Sequence, residues 1–174
     1  NPPEWFSDDV TDQTIVLRTI GMAQELYRWG EEIGRPITQE DVEPSNWWSA
    51  ELGKTLPGTM YVAAQQWLHH WSRRTSSFWN DFDLLLTPVL GSLTPTIGLL
   101  SNPKTGQQQL RELIGFVDQV NVTGQPAISV PVGEHEGLPI GVQVIAARGH
   151  DTLLLQIAQQ LENSEAFTTL SNEL

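Results

Sequence analysis

The side chains best suited to acid–base or metal chemistry in this sequence are its four histidines, His69, His70, His135 and His150. His69 and His70 are adjacent, so on a helix their side chains point about 100° apart. Zinc-binding helices instead place two histidines four residues apart on one face. The simpler interpretation is a pair of histidines on a helix surface, and the sequence predicts no metal site.

The serines show no sign of activation as nucleophiles. Ser76 and Ser77 lie beside Arg73 and Arg74, but a nucleophilic serine needs a base held close to it. No such base is identifiable, so these residues are interpreted as the solvated side of a helix. The adjacent carboxylates occur in polar contexts typical of protein surfaces; they are Asp8 and Asp9, Glu31 and Glu32, and Glu40 and Asp41.

Composition excludes several classes of partner. The 174 residues include 9 Lys and Arg against 21 Asp and Glu, a formal net charge of -12. This charge repels phosphate backbones and anionic lipids, so neither nucleic acid nor a membrane is predicted as a partner. The absence of cysteine excludes disulfides and thiolate chemistry and favours a cytoplasmic location. No glycine pattern matches the phosphate-binding motifs, and no cofactor is predicted.

Two strands form the centre of the predicted fold. Residues 127–132 and 140–147 are rich in Val and Ile and are joined by a polar turn at residues 133–137. Both strands are interpreted as covered on two faces, in the middle of a helix-flanked sheet. Residues 83–88 predict a third strand that ends at a proline. A sheet in an α/β protein normally has about five or six strands, so this sheet is predicted to be incomplete.

Apolar periodicity places helices around these strands. They are predicted over residues 12–33, 45–55, 59–82, 107–118 and 151–162, with an ordered loop at 89–106. The 59–82 helix buries an aromatic stripe from Met60 to Phe82, and Trp47, Trp48 and Leu52 form the apolar side of the 45–55 helix. The chain therefore divides into a helical part (1–82), a strand, loop and helix (83–118), a strand pair with a final helix (119–162) and a tail (163–174). The fold class is α/β.

Several ordered motifs resemble the C-terminal part of the amidase signature family. They are Asn121–Pro131, Leu138–Gln143, the closing 151–162 helix and, upstream, Phe82–Pro88. Asp41–Pro44, with Trp48, Ala50, Glu51 and Gly53, is similar to a subset of bacterial amidases that includes relatives of the 6-aminohexanoate cyclic dimer hydrolases.

The resemblance implies the C-terminal portion of a mixed-sheet α/β/α fold, incomplete in this chain. Family members hydrolyse carboxylic amides through an acyl-serine intermediate, using a Ser-Ser-Lys triad in their N-terminal part. The only lysines here, Lys54 and Lys104, stand in no matching context. No catalytic residue is therefore assigned, and the chain alone is expected to be inactive. The implied partners are the N-terminal part of the same amidase and a small-molecule amide, and homo-oligomerisation is left open.

The resemblance also indicates a pocket wall. In several family members a residue just before the Asn of the strand motif lines the acyl channel, and the residue seven positions before Asn121 is Ile114. Ile114 is thus a candidate substrate-binding residue, as are Arg111 and Asp118, one helical turn to either side. The alternative is that Ile114 is ordinary helix core. A second hypothesis for the whole chain is a non-catalytic protein-interaction module that binds through Trp47 and Trp48.

Overall fold

The computed structural model describes residues 8–102 and 105–164. Its elements are α1 (Asp8–Ile33), α2 (Pro44–Thr55), α3 (Gly58–Thr75), a 3₁₀ helix (Ser76–Asn80), β1 (Leu84–Pro88), α4 (Gly106–Ile114), α5 (Asp118–Thr123), β2 (Ala127–His135), β3 (Leu138–Ala146) and α6 (Asp151–Glu162). The α/β class is confirmed. Two compact units are present, one spanning residues 8–71 and the other beginning at Ser72. The predicted tail lies almost wholly outside the described residues.

In the first unit, the backbones of α1 and α2 come into close contact at a glycine of α2. A Cβ at Gly53 would lie only 2.1 Å from the Thr19 carbonyl oxygen. The buried residues of α2 are accordingly Ala50 and Gly53, whereas Trp48 is 58% exposed. The prediction was therefore wrong for Trp48 and Leu52, which are exposed, because the two backbones approach too closely to admit a large residue between them, whereas Trp47 is half-buried.

Helix α3 is shorter than predicted. It ends at Thr75, and the chain continues as the 3₁₀ helix Ser76–Asn80. The 3₁₀ segment has about three residues per turn instead of 3.6. Side chains after it therefore no longer lie on the buried face that the α-helical spacing predicted. Leu68 and Trp71 are buried, but Phe82 is 55% exposed and stacks on Phe78 with ring centroids 4.7 Å apart.

The second unit contains a three-stranded sheet with the order β1-β3-β2, in which both neighbours of β3 are antiparallel to it. Among the described residues β3 is the central strand and β2 pairs with β3 alone, so the middle position is confirmed for β3 and stays a prediction for β2. The turn is also tighter than predicted. Glu136 and Gly137 have φ of 53° and 77°, which suits a two-residue hairpin connection, so the strands extend to His135 and Leu138.

The two faces of this sheet have different neighbours. On one face, Val144 and Ala146 pack against Leu154 of α6. On the other face, Gln143 lies between its cross-strand neighbours Thr87 and Ser129 and contacts the segment that joins α4 to α5. Helix α6 thus covers one face, and the turn between α4 and α5 contacts the other.

The helix predicted over residues 107–118 is two helices. α4 ends at Ile114, residues 115–117 form a turn, and α5 begins at Asp118. The Val117 N–H donates to the Ile114 carbonyl at 3.0 Å, a three-residue spacing that ends the helix. Gly115, with its low helix propensity, is the first residue of the break. Asn121 of the strand motif therefore lies in α5, which ends at the left-handed Gly124 (φ 64°).

Candidate functional site

The three residues predicted to bind substrate lie around the break between α4 and α5. Arg111 is exposed and Ile114 is half-buried, and their i, i+3 spacing puts both on one face of α4. Asp118 is 3% exposed. It was expected one helical turn beyond Ile114, but the break makes it the first residue of a separate helix. The structure thus brings Arg111 and Ile114 together and buries Asp118.

The end of α4 is fixed by the loop that follows β1. The Gly91 N–H donates to the Leu113 carbonyl at 2.9 Å. A Cβ at Gly91 would lie 1.9 Å from the Glu112 carbonyl oxygen, so only glycine permits this approach. The last carbonyls of a helix have no partner within it, and the Gly91 N–H satisfies one of them next to Ile114.

A buried amide fixes the following turn. Gln143 is 6% exposed. Its Nε2 donates to Thr87 Oγ1 at 3.0 Å and to the Phe116 carbonyl at 2.9 Å. The Thr87 hydroxyl in turn donates to the Pro88 carbonyl at 2.9 Å. One side chain therefore links β3, the end of β1 and the turn after Ile114.

A cleft of about 700 Å³ begins near this amide, at Pro88, one residue after Thr87, and at Gly141, two residues before Gln143. One wall is the loop 89–94 and the other is the β2–β3 hairpin. Its lining is mostly apolar, as is usual for sites that bind small molecules, with Ser129 and His135 among the polar groups. Arg111, Ile114 and Asp118 are not among the lining residues. The first part of the ordered loop predicted at 89–106 thus forms a cleft wall.

The other polar candidates do not converge. His69 and His70 are exposed, and the hydroxyls of Ser76 and Ser77 donate to the carbonyls of Arg73 and Arg74. Within residues 8–102 and 105–164, no three His, Cys, Asp or Glu side chains lie close enough together to bind a metal ion. No helix in the same ranges is long and apolar enough to cross a membrane.

Asp41 is more than a surface carboxylate. Both of its oxygens accept hydrogen bonds from Arg35 at 2.8 Å, and Oδ2 also accepts from the backbone N–H and the hydroxyl of Thr38 at 2.8 Å. The side-chain bond from Arg35, followed by the bonds from Thr38, lowers the pKa of Asp41 below its ordinary value. These hydrogen bonds join the two ends of the segment that connects α1 to α2.

Sequence reasoning missed Gly91, Thr87 and Gln143, which act through contacts far apart in the chain. A polar glutamine in the apolar run Ile140–Ala147 was the available signal, since a buried amide requires hydrogen-bond partners. The partners themselves could not be read from the sequence.

Comparisons with known proteins agree with this architecture. The family model described as Amidase matches residues 10–155. A 6-aminohexanoate-cyclic-dimer hydrolase of Paenarthrobacter ureafaciens is 36% identical over 156 residues, which are 83% of this chain and 32% of that protein. A solved structure of 6-aminohexanoate cyclic dimer hydrolase complexed with substrate has a TM-score of 0.83 and 34% identity, covering 93% of this chain and 36% of that one. A bacterial aryl acylamidase, at 21% identity and a TM-score of 0.76, covers 95% of this chain and 36% of its own and shares the fold. The chain thus spans about a third of the length of these relatives.

Proposed function

Because the chain belongs to the amidase family, we propose that it is the C-terminal part of an amidase that hydrolyses a carboxylic amide. In the assembled enzyme, a serine oxygen attacks the amide carbonyl carbon, the C–N bond breaks, and the amine leaves with a proton. Water then cleaves the acyl-serine ester to give the acid and the free serine. The Ser-Ser-Lys triad belongs to the N-terminal part, and this chain supplies part of the sheet and a wall of the pocket.

The observation that carries the proposal is the match of residues 10–155 to the family, together with the fixed position of Ile114. An apolar, half-buried side chain at the end of α4 suits an aliphatic acyl group. Arg111, on the same face of α4, and Asp118, at the start of α5, are proposed as further pocket residues. The names of the relatives favour a substrate such as the cyclic dimer of 6-aminohexanoate.

The test measures release of amine and acid from that cyclic dimer and from simple linear amides. The 174-residue chain alone is compared with the assembled amidase, in which the chain follows its own N-terminal part. We expect turnover by the assembled protein and none by the chain alone. Turnover by the chain alone would overturn the assignment of the triad to the N-terminal part. An inactive but folded assembled protein would overturn the proposed activity.

Exposed aromatic side chains favour the second candidate, a protein-interaction module. Tyr27, Trp29 and Trp48 are 64%, 48% and 58% exposed, and aromatic residues are enriched at protein interfaces. Binding of the assembled amidase to an unrelated protein through these residues, with loss on Trp48→Ala, would support this candidate.

A further inference from the structure

We infer that Gln143 is a positioning residue that holds the wall of the acyl pocket in place, an inference that rests on the function proposed above. Gln143 lies at the middle of the central strand, between Thr87 of β1 and Ser129 of β2. Nothing in the chemistry of amide hydrolysis requires an amide side chain here, so its role follows from its contacts.

The burial of this side chain shows that its hydrogen bonds matter. Gln143 is 6% exposed in a strand whose following residues Val144, Ile145 and Ala146 are 3% exposed or less. A buried primary amide is costly unless its N–H groups find acceptors. Nε2 carries two N–H groups and contacts two acceptors, Thr87 Oγ1 and the Phe116 carbonyl.

These two bonds connect the end of β1, where the cleft begins, with the turn that follows Ile114. The first bond ends at the Thr87 hydroxyl, which itself donates to the Pro88 carbonyl at the start of the cleft. The second bond holds the turn at Phe116, two residues after Ile114. The Gly91 N–H donates to the carbonyl of Leu113, the residue before Ile114. Ile114 is thus held between a bond from the loop after β1 on its N-terminal side and a bond from Gln143 of the sheet on its C-terminal side.

The principal experiment measures kcat and KM of the assembled amidase for linear amides of increasing acyl length. In Gln143→Leu the turn loses its bond, so we expect KM for the longer acyl groups to rise about tenfold. The KM for the shortest acyl group and kcat should change less than about twofold. Gln143→Glu has the same shape but accepts rather than donates when ionised, and it should behave like Gln143→Leu. The matched control is Gln160→Leu on the exposed side of α6, which should leave every constant unchanged.

A second readout is independent of catalysis. The Val117 N–H, which donates to Ile114 within the same turn, should exchange with deuterium at least several-fold faster in Gln143→Leu. Thr87→Val removes one of the two acceptors and gives a milder variant should Gln143→Leu fail to fold. It should show a smaller rise in KM for long acyl groups.

The outcomes separate this inference from the proposed function. A wild-type assembled enzyme that hydrolyses no amide refutes the function, while deuterium exchange at Val117 still decides whether Gln143 positions the turn. Unchanged exchange at Val117 in Gln143→Leu overturns the inference. An equal change in KM for all acyl lengths, or a lower melting temperature alone, also overturns it, because a purely structural role predicts either result.

Discussion

At the scale of single residues, hydrogen bonds fix the positions of Ile114 and Asp41. Ile114 ends α4, and the backbone groups on both sides of it are bonded to the sheet or to the loop after β1. Asp41 accepts four hydrogen bonds from Arg35 and Thr38. Each can be tested by one substitution with a control elsewhere on the surface.

The prediction for Ile114 concerns substrate preference. Ile114→Ala removes apolar surface from the proposed acyl wall, so kcat/KM for a long aliphatic amide should fall about tenfold. The value for the shortest amide should change little. The assay is steady-state kinetics of the assembled amidase. Leu155→Ala, which truncates a side chain 66% exposed on α6, should have no effect, and equal behaviour of the two variants would refute the role of Ile114.

The prediction for Asp41 concerns pH. Because the pKa of Asp41 is lowered in the folded state, its ionised form stabilises the fold at neutral pH. That contribution is complete above the unfolded pKa of about 3.9 and is lost as the pH falls below it. Asp41→Asn should therefore lower the melting temperature at pH 7, and the difference from wild type should narrow below about pH 4. Thermal melts from pH 7 to pH 3, with the exposed neighbour Glu40→Gln as control, measure this. A difference independent of pH would contradict it.

At the scale of elements, close backbone approaches fix where the helices lie. Gly53 brings α2 against the Thr19 carbonyl of α1, and Gly91 brings the loop after β1 against the Glu112 carbonyl of α4. Both approaches leave no room for a side chain, so the helix positions depend on glycine at these two sites.

Glycine substitutions in the α1–α2 pair should have opposite effects. Gly53→Ala forces the helices apart and should destabilise the fold by about 1–3 kcal/mol. Gly21→Ala in α1, where an added Cβ meets nothing within 4 Å, should stabilise it by about 0.5–1 kcal/mol through helix propensity. Urea unfolding followed by circular dichroism measures both free energies of unfolding. An unchanged free energy of unfolding in Gly53→Ala would contradict the close packing of α2 against α1.

At the scale of the whole molecule, the described sheet has two open edges. β1 and β2 each pair with β3 and with no other described strand. Open edges and large exposed apolar residues, including Leu86 at 62% exposed, favour pairing with a further chain segment. The length of the relatives, about three times that of the matched region, agrees with such a segment.

The isolated chain should therefore self-associate. Leu86→Lys places a charge on the edge strand β1 and should reduce the weight-average mass in sedimentation velocity. Leu155→Lys, equally exposed but on α6, should not. A wild-type chain that remains monomeric at high concentration would show that its edges are protected.

The sequence by itself determined the α/β class, the strand at Leu84–Pro88, the final helix Asp151–Glu162 and the family resemblance. These depend on local periodicity and on motifs contiguous in the chain. Tertiary structure decided that Trp48 is exposed, that β3 lies between β1 and β2, and that Gln143 bonds Thr87, 56 residues away. Each of these features depends on a contact with a residue that is distant in the chain. The spacing of neighbouring residues does not identify that partner.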